Sequence, residues 1–198
     1  MLMLNKITAH IVTYLLQQGI IENDQEEVYI YGFYRAIMNG INVISIILIS
    51  LLFGQILEAF VFVVAFRSLR SYAGGYHAKT QWRCYVLTML TIMIALSIIK
   101  YFHVGMKMSI ALWLFTGTII FLWAPVEAEN KPLDEIEIQI YGKKAKLTWL
   151  IETTCFLVSL VCNWTSVYES ILLAGISTSL SMVAANVKKL KTIERKRE

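Results

Sequence analysis

Charge is the first thing this sequence is short of. Only 16% of its 198 residues are Asp, Glu, Lys or Arg, where a soluble domain carries about a quarter. With 57% hydrophobic residues and a mean hydropathy of +0.60, that deficit excludes an ordinary soluble domain. Proline is nearly missing: Pro125 and Pro132 are the whole complement, and both fall in one polar loop, where they end a helix and set a turn. Three cysteines (Cys84, Cys155, Cys162), with no C-x-x-C pair among them, are too few for a disulfide framework. Cys155 and Cys162 sit in an apolar run and read as small hydrophobes. The familiar catalytic signatures are also missing. The chain has no P-loop, no H-E-x-x-H, no G-x-S-x-G and no paired acidic motif of an intramembrane metal or glutamate protease.

What the chain does have is apolar length. Several runs approach or exceed the ~20 apolar residues that a helix needs to cross a bilayer. The expected fold is all-α: a polytopic integral membrane helical bundle in a single domain over residues 1–198, with about six membrane segments. Residues 1–21 lack a signal-peptide pattern and space Leu4, Ile7, Ile11, Tyr14 and Leu15 as a helix does, with His10 on the polar side. They predict an amphipathic helix lying on the membrane surface. The membrane segments are expected at 28–53, 55–66, 84–102, 108–126, 147–164 and 167–187. In the first, Gly32, Ala36 and Gly40 recur at intervals of four and admit a close neighbour, within the bundle in preference to a second copy. Ser177, Ser181 and Ala185 make a similar stripe in the last. The second segment is short. Its twelve residues span roughly 18 Å as a helix against a hydrocarbon core of roughly 30 Å. It either crosses with help from the residues after it or dips in and leaves the next stretch partly sunken.

The net charge of +4 and pI near 8.9 do not point to nucleic acid, because the cations lie in short loops and in a basic tail, residues 188–198. With both termini inside, sixteen of the eighteen Lys and Arg face the cytoplasm, and only Lys100 and Lys107 lie outside. The expected setting is a bacterial cell membrane, crossed several times.

Residues 67–83 break the apolar pattern. Arg67, Arg70, Lys79 and Arg83 gather there with Gly74-Gly75 and His77, just ahead of Cys84. A cysteine attacks as its thiolate, which a helix N-terminus and nearby cations favour. Thr80 is a candidate cap for a helix beginning just before Cys84. His77 is the histidine on the same side of the membrane close enough in sequence to serve as base. Seven residues along one straight helix would separate the two by roughly 10.5 Å, whereas a nucleophile–base contact needs about 3 Å. A His77–Cys84 dyad therefore requires the chain to fold back between them, with Gly74-Gly75 supplying the freedom. The residues read as a membrane cysteine endopeptidase with a cytoplasmic active-site stretch. Zinc is disfavoured for want of a third ligand, and no metal or cofactor is expected. His103 falls on the opposite face. Glu152, about five residues into the fifth segment, is a candidate orienter of His77, although a cap or a loop lysine is the stronger expectation for it. The alternative to an enzyme is a transporter component or a scaffold. Few polar residues (Asn42, Glu152, Thr153, Thr154) lie in the spans to line an aqueous path.

At these residues the chain resembles the accessory gene regulator B (AgrB) family. The stretch R-S-L-R-S-Y-A-G-G-Y-H-A-K-T-Q-W-R-C-Y carries the family's pattern at Arg70, Gly75, His77, Ala78, Cys84 and Tyr85, and the later loop carries it at Ala124, Pro125, Lys131 and Pro132. That loop is more acidic here, through Glu127, Glu129, Asp134, Glu135 and Glu137, than the family pattern. The resemblance implies a peptidase that processes a small autoinducing-peptide precursor with an amphipathic leader and an acidic tail. Cys84, activated by His77, would release the tail and hold the rest as a thioester, which a cysteine or serine of the peptide resolves into a thiolactone or lactone ring. Arg70 would contact the tail or stabilise the oxyanion, and Gly75 would shape the loop. The resemblance and the small-residue stripes together suggest a homodimer.

Overall fold

Glycine and proline mark most of the places where this chain stops being helical. The computed structural model describes residues 2–76, 80–127 and 133–195, with side chains from residue 6 to residue 189 within those ranges. Among them seven α-helices follow one another: α1 (Leu2–Gln17), α2 (Glu26–Phe53), α3 (Ile56–Ala73), α4 (Gln81–Tyr101), α5 (Met106–Trp123), α6 (Glu135–Val161) and α7 (Thr165–Arg195). There is no β-strand among the described residues. Gly19 follows α1, Gly54 follows α2 and Gly74 follows α3, each at positive φ, where a residue without Cβ ends a helix at least cost. Asn163 does the same between α6 and α7, at φ 55°.

The chain divides into two compact units, Met1–Leu48 and Ile49–Glu198. In the first, α1 buries Thr8 and Val12, four residues apart, and exposes His10. Arg35 on α2 lays its guanidinium over the Tyr31 ring at 5.9 Å and donates to the Tyr31 hydroxyl at 3.2 Å.

In the second unit α7 is the hub, packed against α3, α4, α5 and α6. Its core is aromatic. Trp113 stacks on Trp149 at 5.7 Å and on Phe156 at 5.1 Å, and its indole N–H donates to Thr153 Oγ1 at 2.9 Å. Two glycines make room for these rings. A Cβ on Gly175 would lie 2.7 Å from Trp113 Cζ3, and one on Gly117 would run into the Trp149 ring.

Among the described residues four helical stretches are each long and apolar enough to cross a membrane: Asn23–Phe53, Gln81–Tyr101, Met106–Trp123 and Thr165–Lys189. Six membrane segments were expected, and the two that fall short are charged. α3 carries Glu58, Arg67 and Arg70 within its 18 residues. Any stretch of ~20 residues within α6 takes in Lys144, Lys146 and Glu152. α3 also continues beyond Phe66, where its apolar run ends, to Ala73. No helix breaker precedes Gly74, and a cation in the last turn suits the negative end of the helix dipole. At 18 residues it is roughly 27 Å long. α6 likewise begins twelve residues before the expected Leu147, at Glu135. Its first turn is closed by the Glu137 carboxylate, which accepts from the Asp134 N–H at 3.3 Å.

Candidate functional site

Cys84 sits near one end of the second unit, and so do the ends of four other helices. Residues 67–83 are not one loop. Their first part is the last two turns of α3, and their last part caps and opens α4. Gly74 (φ 75°) and Gly75 (φ 129°) follow α3 directly, and both conformations are ones that side chains with a Cβ rarely adopt.

Arg70, half-buried in the last turn of α3, organises this corner. Its Nη1 donates to Ser181 Oγ on α7 and its Nη2 donates to the Tyr76 carbonyl. The Tyr76 N–H donates in turn to Ser181, lying 3.0 Å from the hydroxyl and 3.0 Å from the carbonyl oxygen. Gly75 permits this approach, since a Cβ there would lie 2.8 Å from Ser181 Oγ and 3.0 Å from Arg70 Nη1. Lys188 stands over the Tyr76 ring at 5.5 Å. The clamp therefore fixes the backbone of Tyr76, the residue immediately before His77. Burial holds the Arg70 guanidinium below its usual pKa, and the charge of a Cys84 thiolate acts against that shift.

Cys84 is the fourth residue of α4, in its first turn. Thr80 caps the helix with extended backbone, its Oγ1 accepting from the Arg83 N–H at 3.4 Å, as the spacing predicts. The Cys84 N–H donates to the Thr80 carbonyl at 3.1 Å, and the thiol is exposed. Trp82 and Tyr85 stack at 5.1 Å beside it. The thiol thus stands exposed in the first turn of α4.

The later polar loop joins the same corner. The Val126 N–H donates to the Ala73 carbonyl at 2.9 Å, and Gly74 and Val126 form an isolated parallel bridge. A Cβ on Gly74 would collide with the Val126 carbonyl oxygen. Pro125, joined to Ala124 by a cis peptide bond, packs on α6, where a Cβ on Gly142 would lie 3.4 Å from Pro125 Cδ. Tyr72 meets Tyr141 of α6 at 6.5 Å and carries Lys144 over its ring at 5.6 Å.

Of the residues expected to form the site, Arg70, Gly75 and Cys84 belong to this corner. His77 lies outside the described residues, with Ala78, Lys79, Lys131 and Pro132. α3 ends at Ala73 and the helix bearing Cys84 starts at Gln81, with Thr80 in extended backbone just before it. Among the described residues Glu152 takes no lysine. Its Oε1 lies 2.7 Å from Ser68 Oγ across the contact between α3 and α6. His103 is at the other end of the unit, its Nδ1 3.5 Å from Glu169 Oε2, while Glu169 Oε1 accepts from the Val104 N–H at 2.9 Å. Among the described residues no group of three His, Cys, Asp or Glu could hold a metal ion. Ser181 was expected to act only as a small packing residue. Its two polar roles leave no local signal, because both partners lie more than a hundred positions earlier in the chain.

A family model described as Accessory gene regulator B matches residues 5–184. The chain is 32% identical over 133 residues to a putative AgrB-like protein of Clostridium perfringens, covering 64% of this chain and 62% of that protein. It is 26% identical over 118 residues to protein FsrB of Enterococcus faecalis, covering 59% and 49%. It is 25% identical over 109 residues to accessory gene regulator protein B of Staphylococcus aureus, covering 53% and 57%. The match thus spans between about half and 62% of the length of these curated relatives. No solved structure matches the chain.

Proposed function

The chain belongs to the accessory gene regulator B family, and on that premise we propose that it is a membrane cysteine endopeptidase that matures a small autoinducing-peptide precursor. The family supports a role in the accessory gene regulator system. The finer reading rests chiefly on one observation. The two motif-bearing segments, far apart in sequence, meet at Gly74 and Val126, beside a guanidinium that anchors the residue before His77.

In this mechanism His77 takes the Cys84 proton, and the sulfur attacks the carbonyl carbon of the scissile peptide bond. The C–N bond breaks, the amine of the departing tail receives the proton from His77, and the remaining peptide is held as a thioester on Cys84. A thiol or hydroxyl within that peptide then attacks the thioester carbonyl. His77, neutral again, takes the proton of that thiol or hydroxyl, the bond to Cys84 breaks and the ring closes, and the proton returns to the Cys84 sulfur. Limited water at a membrane interface favours this second attack over hydrolysis. Arg70, with both terminal nitrogens engaged inside the protein, serves the loop and the sulfur charge in preference to the substrate tail. An acidic tail is left to the exposed cations at the same end: Arg67, Arg83, Lys143 and Lys144. Lys100 and Lys107 flank the loop between α4 and α5, at the other end. This separation supports a cytoplasmic site.

The test is intact-mass analysis after incubation with a candidate precursor, run on wild type, Cys84→Ala and His77→Ala in parallel. The expected result is a hydroxylamine-sensitive adduct and a shortened peptide with wild type alone. Cleavage that survives Cys84→Ala would remove the assignment. Neither adduct nor cleavage with any of several precursors would favour a transporter component or scaffold.

A further inference from the structure

Ser68 and Glu152 meet where α3 packs on α6, and their hydrogens do not balance if Glu152 is an ionised carboxylate. Ser68 Oγ lies 2.9 Å from the Ala65 carbonyl oxygen and 2.7 Å from Glu152 Oε1. Both neighbours are acceptors, and a hydroxyl has a single hydrogen to give. Glu152 is 7% exposed, and its Oε2 is buried without a hydrogen-bond partner among the described residues. Two lysines of the same helix are turned to aromatic rings, Lys144 to Tyr72 and Lys146 to Phe121. An ionised carboxylate here would place an unpaired charged oxygen in a low-dielectric contact, one of the costliest arrangements a protein interior can hold. One proton on the carboxyl removes both difficulties. Oε1–H then donates to Ser68 Oγ, Ser68 O–H donates to Ala65, and the remaining oxygen is a neutral carbonyl.

We propose that Glu152 is held as a neutral carboxylic acid that donates to Ser68 and pins α3 to α6, which makes it a positioning residue for the Arg70 end of α3. Ser68 stands two residues before Arg70 on one rigid helix. A shift of α3 against α6 therefore moves the guanidinium that clamps Tyr76. The positioning role rests on the peptidase reading; the protonation state does not. This role differs from orienting His77, for which Glu152 would have to be charged.

Infrared difference spectroscopy on protein reconstituted in bilayers at neutral pH tests the proton directly. Wild type minus Glu152→Gln is expected to show a carboxylic-acid C=O band that shifts in heavy water and moves to higher frequency in Ser68→Ala, where its acceptor is gone. No such band in wild type would mean an ionised Glu152 and would overturn the proposal. Precursor cleavage by folded variants tests the positioning. Glu152→Gln, whose amide N–H can replace the donated proton, is expected to stay near wild type, while Glu152→Ala falls about tenfold. A folded Glu152→Gln as impaired as Glu152→Ala would mean that the charge is needed and would also overturn it. Inactivity of wild type itself would count against the peptidase reading and leave the infrared result standing.

Discussion

Gly74 and Val126 are joined backbone to backbone, with the Val126 N–H on the Ala73 carbonyl at 2.9 Å and no room for a Cβ on Gly74. This bridge makes one corner out of two loops that the chain writes far apart, and it hangs on a single missing methyl group. Gly74→Ala adds that methyl where φ is 75° and a carbonyl oxygen already stands. The strain is on the order of 1–3 kcal/mol from the backbone alone, with the collision added. Gly74→Ala is therefore expected to lower the melting temperature in detergent and to reduce precursor cleavage by at least about tenfold. Gly105→Ala, at a helix start where nothing lies within 4 Å, is the matched control and should change neither.

Arg70 and Ser181 give a graded series. The guanidinium uses two nitrogens at once, on Ser181 and on the Tyr76 carbonyl, which a lysine ammonium cannot reproduce in the same plane. Arg70→Lys should therefore resemble Arg70→Ala in cleavage. Ser181→Ala keeps the charge near Cys84 but removes one acceptor from it, a loss of about 1.5–3 kcal/mol. Iodoacetamide alkylation separates the two effects. Arg70→Ala, which removes a positive charge from the corner as well as the clamp, is expected to slow both alkylation of Cys84 and cleavage, while Ser181→Ala slows cleavage more than alkylation. Equal effects of the two substitutions on both readouts would argue against a division of labour.

How far the sequence led is seen residue by residue. Thr80 as the cap of the helix bearing Cys84 was legible, because capping is a local matter of side-chain type and position. The helical class followed from apolar run length. The extent of α3 did not, since a run of apolar residues measures the span and Arg67 and Arg70 continue the helix without continuing the run. The meeting of Gly74 with Val126, the Ser181 clamp and the serine partner of Glu152 are tertiary contacts between distant positions. Residue type alone gives Ser181 a place in a small-residue stripe and gives Glu152 a lysine, and neither reading foresees a buried hydroxyl as the partner.

The aromatic core offers a stability test away from the proposed chemistry. Gly117 lets the Trp149 ring lie against α5, and Trp149 stacks in turn on Trp113. Gly117→Ala forces a displacement worth about 1–3 kcal/mol, as overpacking usually does. A lowered melting temperature and a changed tryptophan emission are the expected outcome, with alkylation of Cys84 unchanged. An unaltered melting temperature would mean that the ring slides at little cost.

Two native cysteines report the orientation proposed for the second unit. Cys84 opens α4 at the Arg70 end, and Cys162 closes α6 at its other end, a tight turn before α7. Both thiols are exposed, so each is available to a reagent wherever water reaches it. Single-cysteine variants retaining Cys84 or Cys162 would be treated with a membrane-impermeant maleimide on intact cells and again after permeabilisation. If the cation-rich end faces the cytoplasm, Cys162 is labelled from outside, and Cys84 only once the membrane is opened. Labelling of Cys84 on intact cells would reverse the orientation and place the proposed chemistry on the outer face, where a reduced thiol is harder to maintain. Labelling of both from one side would mean that α6 does not carry its two ends to opposite faces. The three charges that keep this helix from an ordinary span, Lys144, Lys146 and Glu152, would then decide its position.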